Sequence, residues 1–372
     1  MTEDATVKRK VLVLAPSLKS IGGVQNYTAT LVSALRIILG SERVRLICVA
    51  EDPKPKSDGS VSLSSFVKLR FFLSALAAAV WWRPDLVICA HVGLATTGRA
   101  IQRLTRAPYW LVLYGIEVWG DLPPAKKRAL QGAQCFLTIT RFTLEATAER
   151  HNLHEPCCVL LPPSLSASPP AATADERVPP PPAGPIVLTV GRMSASEQYK
   201  GHDVMLAAWP LVLQRVPEAV YWIVGGGDDR QRLEARARAL GIADSVRFLG
   251  SVTPEELNVC YDRCRVFAMP AQTELDSAAP RGEGFGIVFL EAMACGKPVV
   301  GPKFGAPAEF VHSDEHGLLV TPTDPKEVAR AIVELLEDPA RASRMGAAAR
   351  EWVMREFSFD RFCERLRDAL RH

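Results

Sequence analysis

The strongest constraint on this chain is a recurring pattern of short, almost wholly apolar runs, each followed by a stretch with helical spacing. In the first half the runs are KVLVLAP (10–16), RLICVA (45–50), DLVICA (85–90), YWLVLY (109–114), CFLTIT (135–140) and CCVLL (157–161). They are continuously hydrophobic rather than alternating, which suits strands covered on both faces. Helical spacing falls between them at 24–39, 66–82, 94–106, 124–132 and 142–150. Strand and helix in turn predict a parallel, doubly wound α/β sheet.

The pattern then stops and starts again. Residues 162–185, PPSLSASPPAATADERVPPPPAGP, hold nine prolines in 24 positions. Proline removes amide donors and favours extended chain, so this stretch reads as an interdomain linker. Beyond it come IVLTVG (186–191), VYWIVG (220–225), VRFLG (246–250), VFAMPA (266–271), PVVGP (298–302) and GLLVTP (317–322). Helical stretches at 201–214, 229–240, 254–263, 284–295, 325–337 and 340–354 separate and follow them, and an amphipathic tail closes the chain. The expected organisation is a Rossmann-like domain over 1–165, a linker over 166–184, a second Rossmann-like domain over 185–356 and a terminal helix over 357–372. Two such domains are expected to leave a ligand cleft at the carboxyl ends of their strands.

The chain has 372 residues, room for about two domains. A net charge of +3 predicts no polyanionic partner such as a nucleic acid. The halves differ: residues 1–168 carry 20 basic and 12 acidic side chains, the remainder 24 and 29. A basic front half suits an anionic membrane surface or anionic ligands, with scattered solvated charge as the plain alternative. The stretch 65–84 is apolar, with Lys68 and Arg70 near its start. It is expected mainly to face the core. Its Phe and Trp residues, with Lys126, Lys127 and Arg128, are also candidates for a monotopic membrane patch. The longest apolar run, Phe71 to Trp82, has 12 residues, and a spanning helix needs about 20, so no crossing of a bilayer is expected. MTEDATVKRK is too charged, and the run after it too short, for a secretory signal. The nine cysteines include no CxxC pair and read as reduced thiols of a cytosolic protein.

Chemistry concentrates in EGFGIVFLEAMACGKPVVG (283–301). Glu283 precedes a helix start marked by Gly284 and Gly286, where unsatisfied amides can face an anionic or hydroxylated ligand. Glu291 follows eight residues later, about 12 Å along a continuous helix and too far for a glycosidase carboxylate pair. Read without context, the pair is a capping acid and one stray acid. In VGRMSASEQYKGHDV (190–204), Arg192 and Lys200 flank a polar loop after a strand, and two fixed cations there can hold a diphosphate. Gly22 and Gly23 follow the first strand and open a helix, where a phosphate can approach the backbone closely.

Glu283 and Glu291, with the GFG and EAMACGKPVV text around them, resemble the signature of family 4 glycosyltransferases, the retaining group 1 enzymes with the GT-B fold. The resemblance runs along essentially the whole chain and is most specific in the second half. It implies two Rossmann-like domains facing a cleft, the first binding acceptor and the second a nucleotide-sugar donor, with the tail helix crossing back onto the first. It assigns Glu283 to the donor sugar and Glu291 to the ribose. Arg192 and Lys200 take the diphosphate, and Gly22 and Gly23 meet the donor phosphates. Gly284, Phe285, Gly286 and Ile287 join the donor set, and backbone at Val252 pairs with the base. Thr253 offers no carboxylate to guanine, which tilts the expectation slightly away from that base. His91 is the expected acceptor-side catalytic group, with Tyr114 and Glu117 beside it where relatives often have His-Gly; for His91 a buried structural histidine is the alternative. The implied activity is transfer of a hexosyl unit, with retention, from a UDP- or GDP-sugar to a glycan or polyprenyl- or lipid-linked acceptor in cell-envelope synthesis. No metal or other cofactor is implied, and the implied place is the cytoplasm or the inner face of the membrane. The alternatives are a nucleotide-sugar-binding protein, an epimerase, or a transferase acting on a small soluble acceptor.

Other motifs carry less. GGGDD (225–229) is not a dinucleotide fingerprint, because Arg230 stands where the last glycine belongs. It reads as a tight turn and argues against an NAD enzyme. GSVTPEEL (250–257) predicts Thr253 as an N-cap boxed by Glu256. Glu309 reads as structural. HSDEH (312–316) matches a zinc-protease pattern, but Pro307 and the strand from Gly317 leave it no helix, so it reads as a polar turn.

Overall fold

The computed structural model describes residues 9–17, 22–49, 65–154, 156–165, 178–180, 182–277 and 279–371. The chain divides into two units, Met1–Ser164 with Phe359–His372, and Leu165–Ser358. Linker positions 166–177 and 181 lie outside the described residues.

The first unit runs β1 (Val11–Ala15), α1 (Gly23–Leu39), β2 (Val44–Cys48), α2 (Ser65–Trp82), β3 (Leu86–Cys89), α3 (Ala95–Thr105), β4 (Tyr109–Leu113), α4 (Ile116–Trp119), α5 (Pro124–Gln131), β5 (Cys135–Thr138), α6 (Arg141–His151) and β6 (Cys158–Leu160). Its six strands pair in parallel in the order β2-β1-β3-β4-β5-β6. The central strands β1, β3 and β4 are buried at every position, which is why their sequences do not alternate.

The second unit runs β7 (Ile186–Val190), α7 (His202–Arg215), β8 (Val220–Val224), α8 (Arg230–Ala239), β9 (Val246–Gly250), α9 (Pro254–Arg263), β10 (Val266–Ala268), α10 (Ile287–Ala294), β11 (Val299–Pro302), β12 (Gly317–Val320), α11 (Pro325–Glu337) and α12 (Pro339–Glu356). Its parallel order is β12-β11-β10-β7-β8-β9. The last helix, α13 (Phe359–Arg371), belongs to the first unit and packs on α1, with Phe362 edge-on to Tyr27 at 5.7 Å between ring centroids.

The strand order explains where ligands can sit. In the first unit the chain moves outward from β1 to β2, then returns to lay β3 on the other side of β1. In the second unit β7 and β10 stand in the same relation. Loops leaving adjacent strands in opposite directions open a crevice at their carboxyl ends. The loops after β1 and β3 carry Gly22, Gly23 and His91; those after β7 and β10 carry Arg192, Lys200 and Glu283.

Four local expectations change. The strand expected over 266–271 ends at Ala268, because Pro270 has no amide to give a ladder. The helix expected from 284 starts at Ile287, because Gly286 holds φ +90°, outside the right-handed helical region. The end of the linker is part of the second unit: Val178 is buried, and Arg263 Nη1 donates to the Pro179 carbonyl at 2.7 Å. A proline carbonyl remains a full acceptor, so a proline-rich stretch can still be tied down.

The fourth change concerns α2. Only Phe71, Ala75 and Ala79 are buried, on one face. Phe66, Leu69, Leu73 and Val80 lie on the opposite face and are exposed, and neighbouring Trp81 is 91% exposed. The helix is therefore apolar on two sides and is less core-facing than its composition suggests. Its 18 residues are long and apolar enough to cross a membrane. Its place between β2 and β3, which flank β1 in one parallel sheet, makes it the crossover helix of that sheet.

Candidate functional site

In the second unit, the loop from β7 to α7 is held by glycine-mediated backbone contact. Gly225 and Gly227 have φ +136° and +150°, and a Cβ on them would lie 2.1 Å from the Gly191 carbonyl oxygen and 1.9 Å from that of Met193. The Met193 amide donates to Gly226 at 2.8 Å, the Asp229 amide to Met193 at 3.0 Å, and the Ala195 amide to Asp228 Oδ1 at 3.0 Å. GGGDD is thus a cradle for the Arg192 loop, a role its spacing alone did not disclose. Beneath it, buried His202 faces the Arg192 carbonyl at 3.4 Å, and burial pushes its imidazole down to about 4.

The loop closes on Lys200, whose Nζ lies 3.1 Å from Glu283 Oε2. Both side chains are largely shielded, 15% and 17% exposed. Tyr199 lies under the ammonium at 5.6 Å, and its amide oxygen accepts from Gln272 at 2.6 Å, tying the β7 loop to the β10 loop. Arg192 is 75% exposed and pairs with Glu197, so it is anchored at one end and open to solvent.

Glu283 is presented by a closed loop. Glu274 and Arg281 exchange backbone hydrogen bonds at 2.8 and 3.0 Å, and Arg281 Nε reaches Glu274 Oε2 at 2.9 Å. Gly282 follows at φ +159°, against the Thr273 side chain. Gly284, Phe285 and Gly286 then lead into α10, whose first amides have no carbonyl four residues back. Phe285 is buried, stacked on Phe310 at 4.8 Å and edge-on to Phe357 at 6.1 Å. Its side chain is therefore core, and only its backbone is left to meet a donor. Ile287 is the first helical residue and is half-buried. With the helix starting there, only the last four steps to Glu291 are helical, about 6 Å of rise, so the continuous-helix distance does not apply.

Glu291 accepts a 2.8 Å hydrogen bond from Tyr261 on α9. Burial raises the Glu291 carboxyl above the usual carboxylate range, and the Tyr261 hydroxyl opposes that rise. Tyr261 joins the candidate site as a partner that no local spacing marks, since Glu291 is 30 positions away. Val252 is half-buried just before the α9 cap. There the Thr253 amide donates to Glu256 Oε2 at 2.6 Å and the Glu256 amide to Thr253 Oγ1 at 3.3 Å, so the expected capping box is present and occupies that carboxylate.

In the first unit the three acceptor-side candidates converge. His91 caps the turn after β3, its Nδ1 accepting from the Gly93 amide at 3.0 Å. Tyr114 stacks over it at 6.4 Å between centroids and donates to the Ala90 carbonyl at 3.1 Å. Glu117 accepts from the Tyr114 amide at 2.7 Å. Burial first, then Lys126, lowers the His91 imidazole, and burial raises the Glu117 carboxyl. Both shifts favour neutral forms. At the start of α1, Gly22 has an extended backbone that any residue adopts. A Cβ on Gly23 would meet nothing within 4 Å, so local packing does not demand glycine there.

HSDEH forms a turn leading into β12. The ligand atoms of His312, Glu315 and His316 lie within 4.8 Å of one another. His316 is buried against Trp352, and its Nδ1 faces the His312 amide at 3.4 Å. The two histidines are not presented from one helix, which the zinc-protease pattern requires.

Residues 172–352 match the family described as Glycosyl transferases group 1. Over 183 residues the chain is 41% identical to a GDP-mannose-dependent alpha-(1-6)-phosphatidylinositol monomannoside mannosyltransferase of Mycobacterium tuberculosis, covering 49% of this chain and 47% of that protein. Over 194 residues it is 34% identical to a D-inositol 3-phosphate glycosyltransferase of Salinispora tropica, covering 50% of this chain and 38% of that one. The chain thus spans about half the length, or less, of these curated relatives. Among solved structures it resembles Anabaena HepE in complex with UDP, with TM-score 0.73, 20% identity, and coverage of 97% of this chain and 99% of that one. It also resembles sucrose-phosphate synthase from Thermosynechococcus elongatus, with TM-score 0.76, 22% identity and 98% of each chain covered. With two parallel six-stranded sheets flanked by helices, the chain has the GT-B fold.

Proposed function

We propose that this chain is a retaining glycosyltransferase that moves a hexosyl unit from a nucleoside-diphosphate sugar to a lipid-linked acceptor. The observation that carries the reading is the Lys200–Glu283 pair at the β7/β10 switch point, 3.1 Å apart and shielded from water. A fixed cation beside a fixed carboxylate suits a donor whose diphosphate and sugar hydroxyls must be held together. Lys200, Arg192 and the first amides of α10 bind the diphosphate and stabilise its charge as it leaves. Glu283 orients the sugar, and Glu291, held by Tyr261, accepts from the ribose hydroxyls. Val252 meets the base through its backbone, and Gly22 and Gly23 approach the phosphates. Attack occurs on the face from which the diphosphate leaves, and the leaving group takes the acceptor proton. His91, Tyr114 and Glu117 position the acceptor. Positive charge comes from side chains and helix amides, so the reaction as proposed uses no metal.

The 41% identical relative named as GDP-mannose-dependent supports GDP-mannose as donor. The phosphatidylinositol in that relative's name supports a lipid acceptor. A basic and apolar set of helices in the first unit supports it independently. Helices α2, α3 and α5, which pack in sequence, contain Lys68, Arg70, Arg99, Arg103, Lys126, Lys127 and Arg128 and not one Asp or Glu. On α2, Phe66, Leu69, Leu73 and Trp81 are exposed. Exposed apolar side chains on a helix set that carries positive charge and no acid suit peripheral attachment to an anionic leaflet.

The test is calorimetric titration with GDP, UDP and ADP, followed by incubation with GDP-mannose and phosphatidylinositol-containing vesicles. Selective binding of GDP and anomer-retaining mannosyl transfer to lipid are expected. Selective binding of UDP would move the donor assignment to a UDP-sugar, and binding of none of the three would overturn the reading.

A further inference from the structure

The proposed transfer reaction uses no cysteine, yet two of the nine are held against each other in the first unit. All nine thiols are free. Cys135 opens β5, and the register Phe136↔Cys158 between β5 and β6 places Cys157 opposite it one step earlier. Their Sγ atoms are 2.9 Å apart. Neighbouring strands run about 4.8 Å apart, inside the Cα window of roughly 4.4–6.8 Å that disulfides occupy. An S–S bond of about 2.0 Å requires the two sulfurs to close by less than 1 Å, within ordinary thermal displacement.

The two thiols also differ in access. Cys157 is exposed and Cys135 is buried. A small oxidant meets Cys157 first, while Cys135 waits behind it, sheltered by burial that raises its thiol. An exposed thiol with a second thiol in contact is the arrangement of an attacked cysteine and its resolving partner. Cys158 is the neighbour in sequence, but alternation along a strand turns it to the other face of the sheet. Strand β6 is the sheet edge and lies just before the chain passes from the first unit to the second at Ser164, so a bond here fastens an edge strand to its neighbour β5.

We infer that Cys135 and Cys157 form a reversible disulfide under hydroperoxide, making this strand pair an oxidant-sensitive modification site. The Cys157 thiolate attacks one oxygen of hydrogen peroxide, the O–O bond breaks, and Cys157 becomes a sulfenic acid as hydroxide leaves. The Cys135 sulfur then attacks the sulfenyl sulfur; its proton departs with the hydroxyl as water. In sum, two thiols and one peroxide give one disulfide and two waters.

The full chain is treated with hydrogen peroxide, alkylated, digested with trypsin and read by mass spectrometry. Trypsin cuts at Arg141 and Arg150, so the two cysteines fall on separate peptides. The expected result is a cross-linked pair of peptides that dithiothreitol separates, with two of the nine thiols lost to titration in denaturant. Cys158→Ser retains the link and Cys157→Ser abolishes it. Cys157 oxidised to sulfinic acid while Cys135 still alkylates would overturn the inference, as would a link that requires Cys158. Cys157 is exposed, so its serine variant keeps the fold, and the wild-type cross-link alone decides the question.

Discussion

Lys200 and Glu283 are 83 residues apart in sequence and 3.1 Å apart in the fold. They leave different strands, β7 and β10, which the topology makes neighbours. Each compensates the other's partial burial, so the pair contributes to stability and, as proposed, to donor binding. The two contributions separate in a double-mutant cycle. Lys200→Met alone leaves a shielded carboxylate unpaired and lowers stability. Lys200→Met with Glu283→Gln removes both charges and recovers most of that loss. Transfer, by contrast, falls by about 10²–10³-fold in each single variant and does not recover in the double. Thermal unfolding and initial rates on the three variants check this; recovery of turnover in the double variant would mean the pair is only structural.

Glu291 gives a pH prediction of definite sign. Burial raises its folded-state carboxyl above the ordinary value, so the folded protein holds this proton more tightly than the unfolded chain. The stability from that proton is complete below the unfolded value of about 4.3 and is lost as pH rises through the folded value. Glu291→Gln keeps the shape and removes the titration. It is expected to match wild type below pH ~4, to be more stable than wild type at neutral pH, and to bind nucleoside diphosphate more weakly. Melting curves from pH 3 to 8 with and without GDP read both effects.

His202 runs the other way. Its folded-state imidazole is held down to about 4, so the unfolded chain binds the proton first. Stability is present above about pH 6.5 and is lost as pH falls towards 4, by about 3 kcal/mol if the whole difference acts. His202→Gln flattens that limb of the stability profile. Because the folded-state imidazole stays neutral until about pH 4, nucleotide affinity of the wild type is expected to hold over the same window. A wild-type profile that stays level from pH 6.5 to 4.5 would show that His202 does not titrate as its burial implies.

Much of the fold was legible because its strands are buried on both faces and so spell continuous apolar runs. The two caps and turns with local chemistry, Thr253 with Glu256 and the HSDEH turn, were legible for the same reason of proximity in sequence. What was not legible is non-local or ambiguous by symmetry. Tyr261 is invisible as the partner of Glu291 until α9 and α10 are packed. Gly225 and Gly227 look like a degraded dinucleotide motif, and only the structure shows the carbonyls of Gly191 and Met193 where their side chains would be. Phe285 sits in signature text but is spent on an aromatic cluster. Helix α2 is apolar on opposite faces, so its composition cannot say which face turns inward.

The outward face of α2 predicts salt-sensitive membrane binding. Trp81 is 91% and Phe66 72% exposed, so replacing both by serine removes little from the core and leaves unfolding nearly unchanged. Vesicle sedimentation should show the wild type on anionic but not neutral lipid, weakening as salt shortens the Debye length from about 10 Å at 0.1 M to 3 Å at 1 M. The double serine variant should lose most of the binding while retaining GDP affinity. Equal binding of wild type and variant would place the contact elsewhere.

The glycines offer the cleanest separation of scaffold from ligand contact. Gly227→Ala forces a Cβ to 1.9 Å from the Met193 carbonyl oxygen at φ +150°. No side-chain movement relieves a clash with backbone, so the Arg192 loop must shift, and stability and donor binding should fall together, stability by more than about 2 kcal/mol. Gly23→Ala meets nothing within 4 Å and stands in the first turn of α1, where alanine is the better helix former by up to about 1 kcal/mol. It should leave the melting temperature level or raise it. If the start of α1 approaches a donor phosphate, the added methyl group nevertheless weakens binding of the nucleotide sugar. Melting temperature and donor affinity measured side by side distinguish the cases: a Gly23→Ala variant that keeps wild-type affinity would remove Gly23 from the donor site, whereas one that is more stable yet binds less well would mark it as a glycine kept for its ligand.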